Sequence, residues 1–326
     1  MKRATWIAAL VLLLASSSVA RAQLNGGNIL GDHGVAAGTM PPAGWSLTGL
    51  YYRYFTDTVL KADGSRVVPG PDQPRSTTMQ GVAPTLGFVS RGTLLGGQYG
   101  FVVAPTFVNG ALTAPVFGLP QEVPLGIGDT YFQPFILGWH TKRAEFKAAL
   151  GAFAPTGRYA AGATDNLGKG MWSYEVSGGT TVFLDGARTW SLATAAYWEA
   201  HSAKSVQIVV EDRSTLADVT VGQILSLEGG LGKSFLKGAG SVGLAYYAQW
   251  KLTDDHFTNA SPFDSPLGKH RVYALGPDVT LPIAVKQRLI ALVNVRYFWE
   301  MGARAKSQGT PFVITAAFPV PSRKIR

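Results

Sequence analysis

The chain has 326 residues, of which 46% are hydrophobic, 11% aromatic and only 15% charged, with 39 glycines and no cysteine. An ordinary soluble domain carries roughly 25% charged residues, so the surface of this fold is expected to meet something less polar than water. The formal charge of +9 is spread singly between aromatic and aliphatic residues, which argues against a nucleic-acid interface, and the lack of cysteine excludes disulfides, thiolate metal sites and a lipidated cysteine anchor.

Residues 1–22 read as an export signal. Lys2 and Arg3 give a positive start, Trp6–Ala15 an apolar run, and Ala20-Arg21-Ala22 the small-x-small pattern of a cleavage site, with Gln23 as the first mature residue. The run is half of the roughly twenty apolar residues that a helix needs to cross a bilayer. No later stretch approaches eighteen uninterrupted apolar residues, so helical spans are excluded. Losing Lys2, Arg3 and Arg21 lowers the formal charge to +6. Residues 23–44, rich in glycine and holding Pro41-Pro42, are expected to plug a lumen or to stay mobile in the periplasm.

From Trp45 onward the chain breaks into strand-length segments. About twelve are expected, starting near Trp45, Met79, Leu95, Asp129, Glu145, Trp172, Arg188, Val221, Ser241, His270, Lys286 and Pro311. In Ser241–Thr253, Val242, Leu244, Tyr246, Ala248, Trp250 and Leu252 fall on one face, while Gly243, Ala245, Tyr247, Gln249 and Lys251 fall on the other. Successive side chains of a strand point to opposite faces, and an apolar face opposite a small, polar one suits a wall between lipid and lumen. Lys286–Glu300, Trp172–Phe183 and Glu145–Ala154 repeat the pattern; His270–Leu281 alternates poorly. Connections near 58–78, 108–128, 157–171, 201–220 and 254–269 are long, and those between them are short. The expected fold is therefore all-β: a transmembrane antiparallel β-barrel over 45–318, with long extracellular loops, short periplasmic turns and a basic tail at 319–326. Phe318 supplies the terminal aromatic that barrel-assembly machinery reads. Trp45, Tyr51, Tyr52, Tyr54, Phe55, Trp139, Trp172, Tyr197, Trp198, Trp250, Phe298 and Trp299 are expected to form interfacial girdles against outer-membrane lipids.

Motifs for chemistry are weak. Gly230-Leu231-Gly232-Lys233-Ser234 resembles part of a phosphate loop, but Leu227 stands where the first glycine is needed. Asp254-Asp255-His256 reads as a solvated loop, since three adjacent residues without partners do not surround an ion. There is no G-x-S-x-G, and no catalytic residue, metal or cofactor is assigned. What remains is a set of charges on expected inward faces: Lys147, Glu175, Glu199, Glu228, Lys251, Arg288, Arg296 and Glu300. They form either a lumenal salt-bridge network or a pore lining, with Tyr247, Phe298 and Ile290 as apolar contacts.

Several runs then carry a resemblance. Asp129–His140 is followed by Ala154-Pro155-Thr156-Gly157-Arg158-Tyr159, by Asp165-Asn166 and by Trp172–Glu175. Gly230–Phe235, Gly243–Trp250 and Arg271–Pro277 come later in order. This series resembles the outer-membrane family labelled "putative meta-pathway of phenol degradation" (MetA), which includes the SphA-like proteins, over roughly residues 40 to 318. The resemblance implies a Gram-negative outer-membrane barrel associated with aromatic-compound catabolism, and brings no catalytic residues. Arg158, Tyr159, Asp165 and Asn166 lie on a long loop, expected either to gate the mouth or to anchor the loop through an Arg158 ion pair with Asp165 or Glu175. The expected function is porin-like passive uptake of small hydrophobic or aromatic solutes; the alternative is a closed structural or surface-binding barrel without transport.

Overall fold

The structure, a computed structural model, describes residues 24–68, 76–113, 121–163, 165–210, 213–258, 269–286 and 288–319. The expected export signal, and the expected tail after Pro319, lie outside them. The chain forms β1 (Gly44–Leu60), β2 (Ser76–Leu94), β3 (Gly97–Ala104), β4 (Phe107–Thr113), β5 (Gln121–Ile127) and β6 (Thr130–His140). There follow β7 (Ala144–Ala154), β8 (Ser173–Phe183), β9 (Trp190–His201), β10 (Ala203–Val210), β11 (Arg213–Thr220) and β12 (Ile224–Phe235). The last six are β13 (Gly240–Lys251), β14 (His256–Thr258), β15 (Arg271–Val285), β16 (Arg288–Tyr297), β17 (Trp299–Arg304) and β18 (Lys306–Pro319). Among the described residues no helix is long and apolar enough to cross a membrane.

Twelve strands close into an antiparallel barrel in the order β1-β18-β16-β15-β13-β12-β9-β8-β7-β6-β3-β2, and β2 returns to β1. Closure is what hydrocarbon demands, because an open edge would leave backbone N–H and C=O groups unpaired there. The hairpin β4–β5 prolongs β3 and β6 beyond one rim, and β10-β11-β14 form a small separate sheet. All short connections (β2–β3, β6–β7, β8–β9, β12–β13 and β15–β16) lie at the opposite end. This is the short-turn end of the barrel.

Alternation decides which way each residue faces. On β13, Val242 and Leu244 are 49% and 48% exposed, while Ala245, Tyr247, Gln249 and Lys251 are buried. On β8, Tyr174 and Val176 face out, and Ser173, Glu175, Ser177 and Thr181 are buried. The same parity reverses part of the expected girdle. Trp45, Phe55, Trp172 and Trp299 are exposed, but Tyr197 and Phe298 are buried and Tyr54 hydrogen-bonds to lumenal Glu300. The expected strand starts hold within a few residues, except that the last strand begins at Lys306 and not at Pro311. Two expected loops, 108–128 and 201–220, are largely hairpins, β4–β5 and β10–β11, since strands can continue in water past the hydrocarbon layer.

The barrel interior is not empty. Residues 24–43 run along its axis from the long-loop end to the short-turn end, where Gly44 opens β1. Each of the four buried apolar clusters takes one residue from this segment: Leu24, Leu30, Ala37 or Met40.

Candidate functional site: the occupied lumen

The segment has no strand or long helix of its own, so its backbone N–H groups need partners elsewhere. Wall carboxylates supply them in order of depth. Gly27 N and Asn28 N donate to Glu199 of β9 at 2.5 and 3.4 Å. Gly31 N and His33 N donate to the two oxygens of Glu228 on β12 at 2.9 and 3.4 Å. Val35 N donates to Asp278 Oδ2 of β15 at 2.9 Å. Cations meet the carbonyls. Arg296 of β16 donates to the Gly31 and Asp32 carbonyls at 3.3 and 2.6 Å, and its Nε pairs with Asp278 Oδ2 at 3.1 Å. Lys251 donates to the Leu24 carbonyl at 3.0 Å and Lys169 to the Asn25 carbonyl at 3.3 Å. Near the short-turn end, Thr39 donates to the Thr181 hydroxyl at 3.2 Å.

Packing follows the same path. Gly230, Gly232 and Gly243 make room for Val35: a methyl group at Gly232 would lie 3.1 Å from Val35 Cβ, and one at Gly243 2.8 Å from its Cγ1. The glycine run that superficially resembled a phosphate loop is thus a smooth patch of wall. Gly31 adopts φ +84°, where a side chain would be strained and would also meet the Phe298 ring.

Most of the expected lumenal residues come together here. Glu175 accepts from Tyr131 OH at 2.7 Å and Gln133 at 3.4 Å. Glu300 accepts from Tyr247 OH at 2.6 Å and Tyr54 OH at 2.8 Å. Lys147 lies in the field of Asp32, Glu175 and Glu228. Arg288 is apart from this set, exposed at the short-turn end of β16. Ile290 is 46% exposed, because a register shift beside Ile283 separates this end of β16 from the parity above it. Asp278, Tyr131, Gln133 and Asp32 escaped the sequence reading. Asp278 follows Gly276-Pro277 in the stretch that alternates poorly, Tyr131 and Gln133 sit in the Asp129–His140 run without a charge to mark them, and Asp32 lies in the segment that does not alternate.

The mouth loop is tied to itself and to β10. Arg158 pairs with Asp165 at 3.0 Å, Asn166 bonds the Ala160 backbone through both ends of its amide, and Tyr159 OH donates to the Ser205 carbonyl. The expected solvated loop Asp254-Asp255-His256 needs correction at Asp255. Its side chain is buried, pairs with Lys251 at 2.7 Å and accepts from Gly222 N. Beside it, burial holds Lys169 below the usual lysine range, and burial followed by the Lys169 charge pushes Lys204 down to about 7.

Asp32, His33 and Glu228 each bring a ligand-type atom within 4.8 Å of the others. Both Glu228 oxygens already accept backbone N–H groups, and Arg296 lies against the same residues. This donor set reads as the anchor of the segment to the wall.

Fold and lumen together define an outer-membrane-type twelve-stranded barrel whose interior is filled by its own N-terminal segment. The chain belongs to the family described as "Putative MetA-pathway of phenol degradation", whose model matches residues 56–315. No curated protein matches it in sequence. Among solved structures it resembles an outer-membrane channel from Pseudomonas putida F1, with 14% identity, a TM-score of 0.63, and coverage of 89% of this chain and 99% of the other. Weaker likenesses link it to the β domain of the Bordetella autotransporter BrkA and to a deletion mutant of the monoaromatic hydrocarbon channel TodX. The first has 12% identity, a TM-score of 0.45, and coverage of 84% and 99%. The second has 10% identity, a TM-score of 0.43, and coverage of 85% and 90%. At that level neither likeness carries an argument.

Proposed function

We propose that this protein is an outer-membrane channel for passive uptake of small hydrophobic or aromatic solutes, held closed by residues 24–43. The observation that carries this reading is the way the segment is held. Its backbone is tied to Glu199, Glu228, Asp278 and Arg296 by hydrogen bonds, with no covalent tie to those residues. Each such bond nets only about 1.5–3 kcal/mol, so the closure is reversible in principle. A permanently filled lumen can be built from wall side chains alone, as in the smallest barrels. The family description and the fold shared with a solved channel support the same reading. The test is uptake of a small neutral aromatic by liposomes holding the refolded protein. Entry faster than into protein-free liposomes is expected, and equal rates would leave the closed structural barrel.

A second route has its own observation. The β2 ladder leaves β3 at Leu86–Val103 and resumes with β4 at Val82–Phe107, a register that sets Pro84 opposite Pro105. Neither proline has an N–H to give, so the wall lacks ladder hydrogen bonds there. Outside this seam is an apolar groove of about 450 Å³ lined by Gly49, Val82, Pro84, Phe107 and Ile314. A hydrophobic solute would leave sideways through such a seam into the lipid.

A further inference from the structure

At the long-loop end the segment fills a pocket as a ligand would. The Leu24 side chain is buried against Met171, Val219, Val221 and Ile224. Its carbonyl oxygen meanwhile accepts from Lys251 Nζ, and the next carbonyl, of Asn25, accepts from Lys169 Nζ. An apolar body thus sits in an apolar cluster with an oxygen on an ammonium group.

The donors around that oxygen exceed what a peptide carbonyl needs. Lys306 donates to Gln249 Oε1 and Lys169 to the Asn25 carbonyl, both of them neutral oxygens. The nearby carboxylates are engaged elsewhere. Asp129 accepts from Gly157 N and Lys169 N, Glu199 from Gly27 N and Asn28 N, and Glu300 from two tyrosines and Gly309 N. Asp255 is the direct ion-pair partner of Lys251. Two imidazoles complete the ring. His201 has a fully buried side chain whose Nε2 lies 3.8 Å from Glu199 Oε2 with neither ring nitrogen hydrogen-bonded, and His270, 4% exposed, has an unpartnered Nε2. His270 lies in the field of Lys306, Lys251 and Lys169. Buried polar atoms ordinarily find partners, and the orphaned His270 Nε2 among three ammonium groups suits a ligand that brings oxygen and negative charge. A carboxylate on an ammonium makes a hydrogen bond roughly twice as strong as a neutral acceptor does.

We propose that this end of the lumen binds small organic acids, a carboxylate on an apolar body of about leucine size, and that Leu24-Asn25 occupy the site as an internal competitor. Binding then displaces the two carbonyls from Lys251 and Lys169 and frees the outer end of the segment. The consequence for transport rests on the channel reading above; the binding does not.

The test is calorimetry on the refolded full chain with 3-methylbutanoate, which carries the leucine side chain on a carboxylate, beside 3-methylbutan-1-ol and acetate. The acid should bind at least about tenfold more tightly than the alcohol, which loses a charge-assisted hydrogen bond, and at least about tenfold more tightly than acetate, which has no branched apolar body to bury. Leu24→Ala should tighten acid binding by about tenfold, since removing a competitor raises the fraction of open sites. Lys169→Gln should weaken it by about tenfold. Alcohol and acid binding equally, acetate matching the longer acid, or no acid binding to wild type and Leu24→Ala alike would each overturn the proposal. Liposome uptake of a neutral aromatic separates the two readings. Uptake without acid binding sinks this site alone, and acid binding without uptake sinks the channel alone.

Discussion

Asp278 does two jobs with one carboxylate. Its Oδ2 accepts from Val35 N of the segment and pairs with Arg296, while Oδ1 accepts from Asn294. Breaking a buried pair by removing one partner costs roughly 3–5 kcal/mol, because the other charge is left uncompensated. Asp278→Ala should therefore lower the melting temperature of the refolded barrel, whereas Asp278→Asn, which keeps an acceptor oxygen, should lower it less. Equal melting of both variants and wild type would show that Arg296 has another partner. Gly232 allows a cleaner perturbation, since it bears no charge. Gly232→Val would put methyl groups where Val35 packs, so the segment should dock less well and single-channel conductance should rise. Unchanged conductance would mean that Val35 does not hold the closure.

The elements were legible in unequal measure. Wall strands such as β8 and β13 announce themselves because lipid on one side and lumen on the other impose a strict period of two. The β4–β5 hairpin lies past the wall and the β10–β11 hairpin buries only a short stripe, with Ala217 and Val219 3% and 0% exposed, so the Gly, Pro, Asp and Ser content around them reads as loop. The lumenal charges Glu199, Glu228, Arg296 and Glu300 were visible from alternation, but their partner was not. Residues 24–43 bond to strands some two hundred residues away, and no local pattern encodes such a pairing. At the sheet β10-β11-β14, Lys204 carries a pH signature. Its proton is held with a pKa of about 7, against an ordinary 10.5, so between those values the folded state binds fewer protons than the unfolded one. Stability should then rise with pH across that window, and Lys204→Gln should flatten the rise; melting curves from pH 7 to 10 check it. The proline seam makes a separate prediction. Pro84→Val restores an N–H to the wall, so it should slow transfer of a hydrophobic solute into lipid while leaving ion conductance unchanged. Loss of both together would place the solute path along the axis.

For the whole molecule, a barrel of this kind has two boundaries to satisfy, lipid outside and its own interior inside. The outside is met by exposed Val, Leu and Trp on alternate positions, and the inside by a polar wall that needs partners. The segment provides them, and the same bonds that satisfy the wall block the axis. Because the chain has no cysteine, this arrangement can be locked with a single engineered pair. Val35→Cys with Gly232→Cys sets two Cβ positions about 3.1 Å apart, close to the roughly 3.5–4.5 Å that a disulfide spans. The most direct test of the closure is single-channel conductance of this double variant in planar bilayers, before and after reduction. Oxidised protein should stay closed and reduced protein should open. Equal conductance in the two states would contradict the claim that residues 24–43 control the lumen.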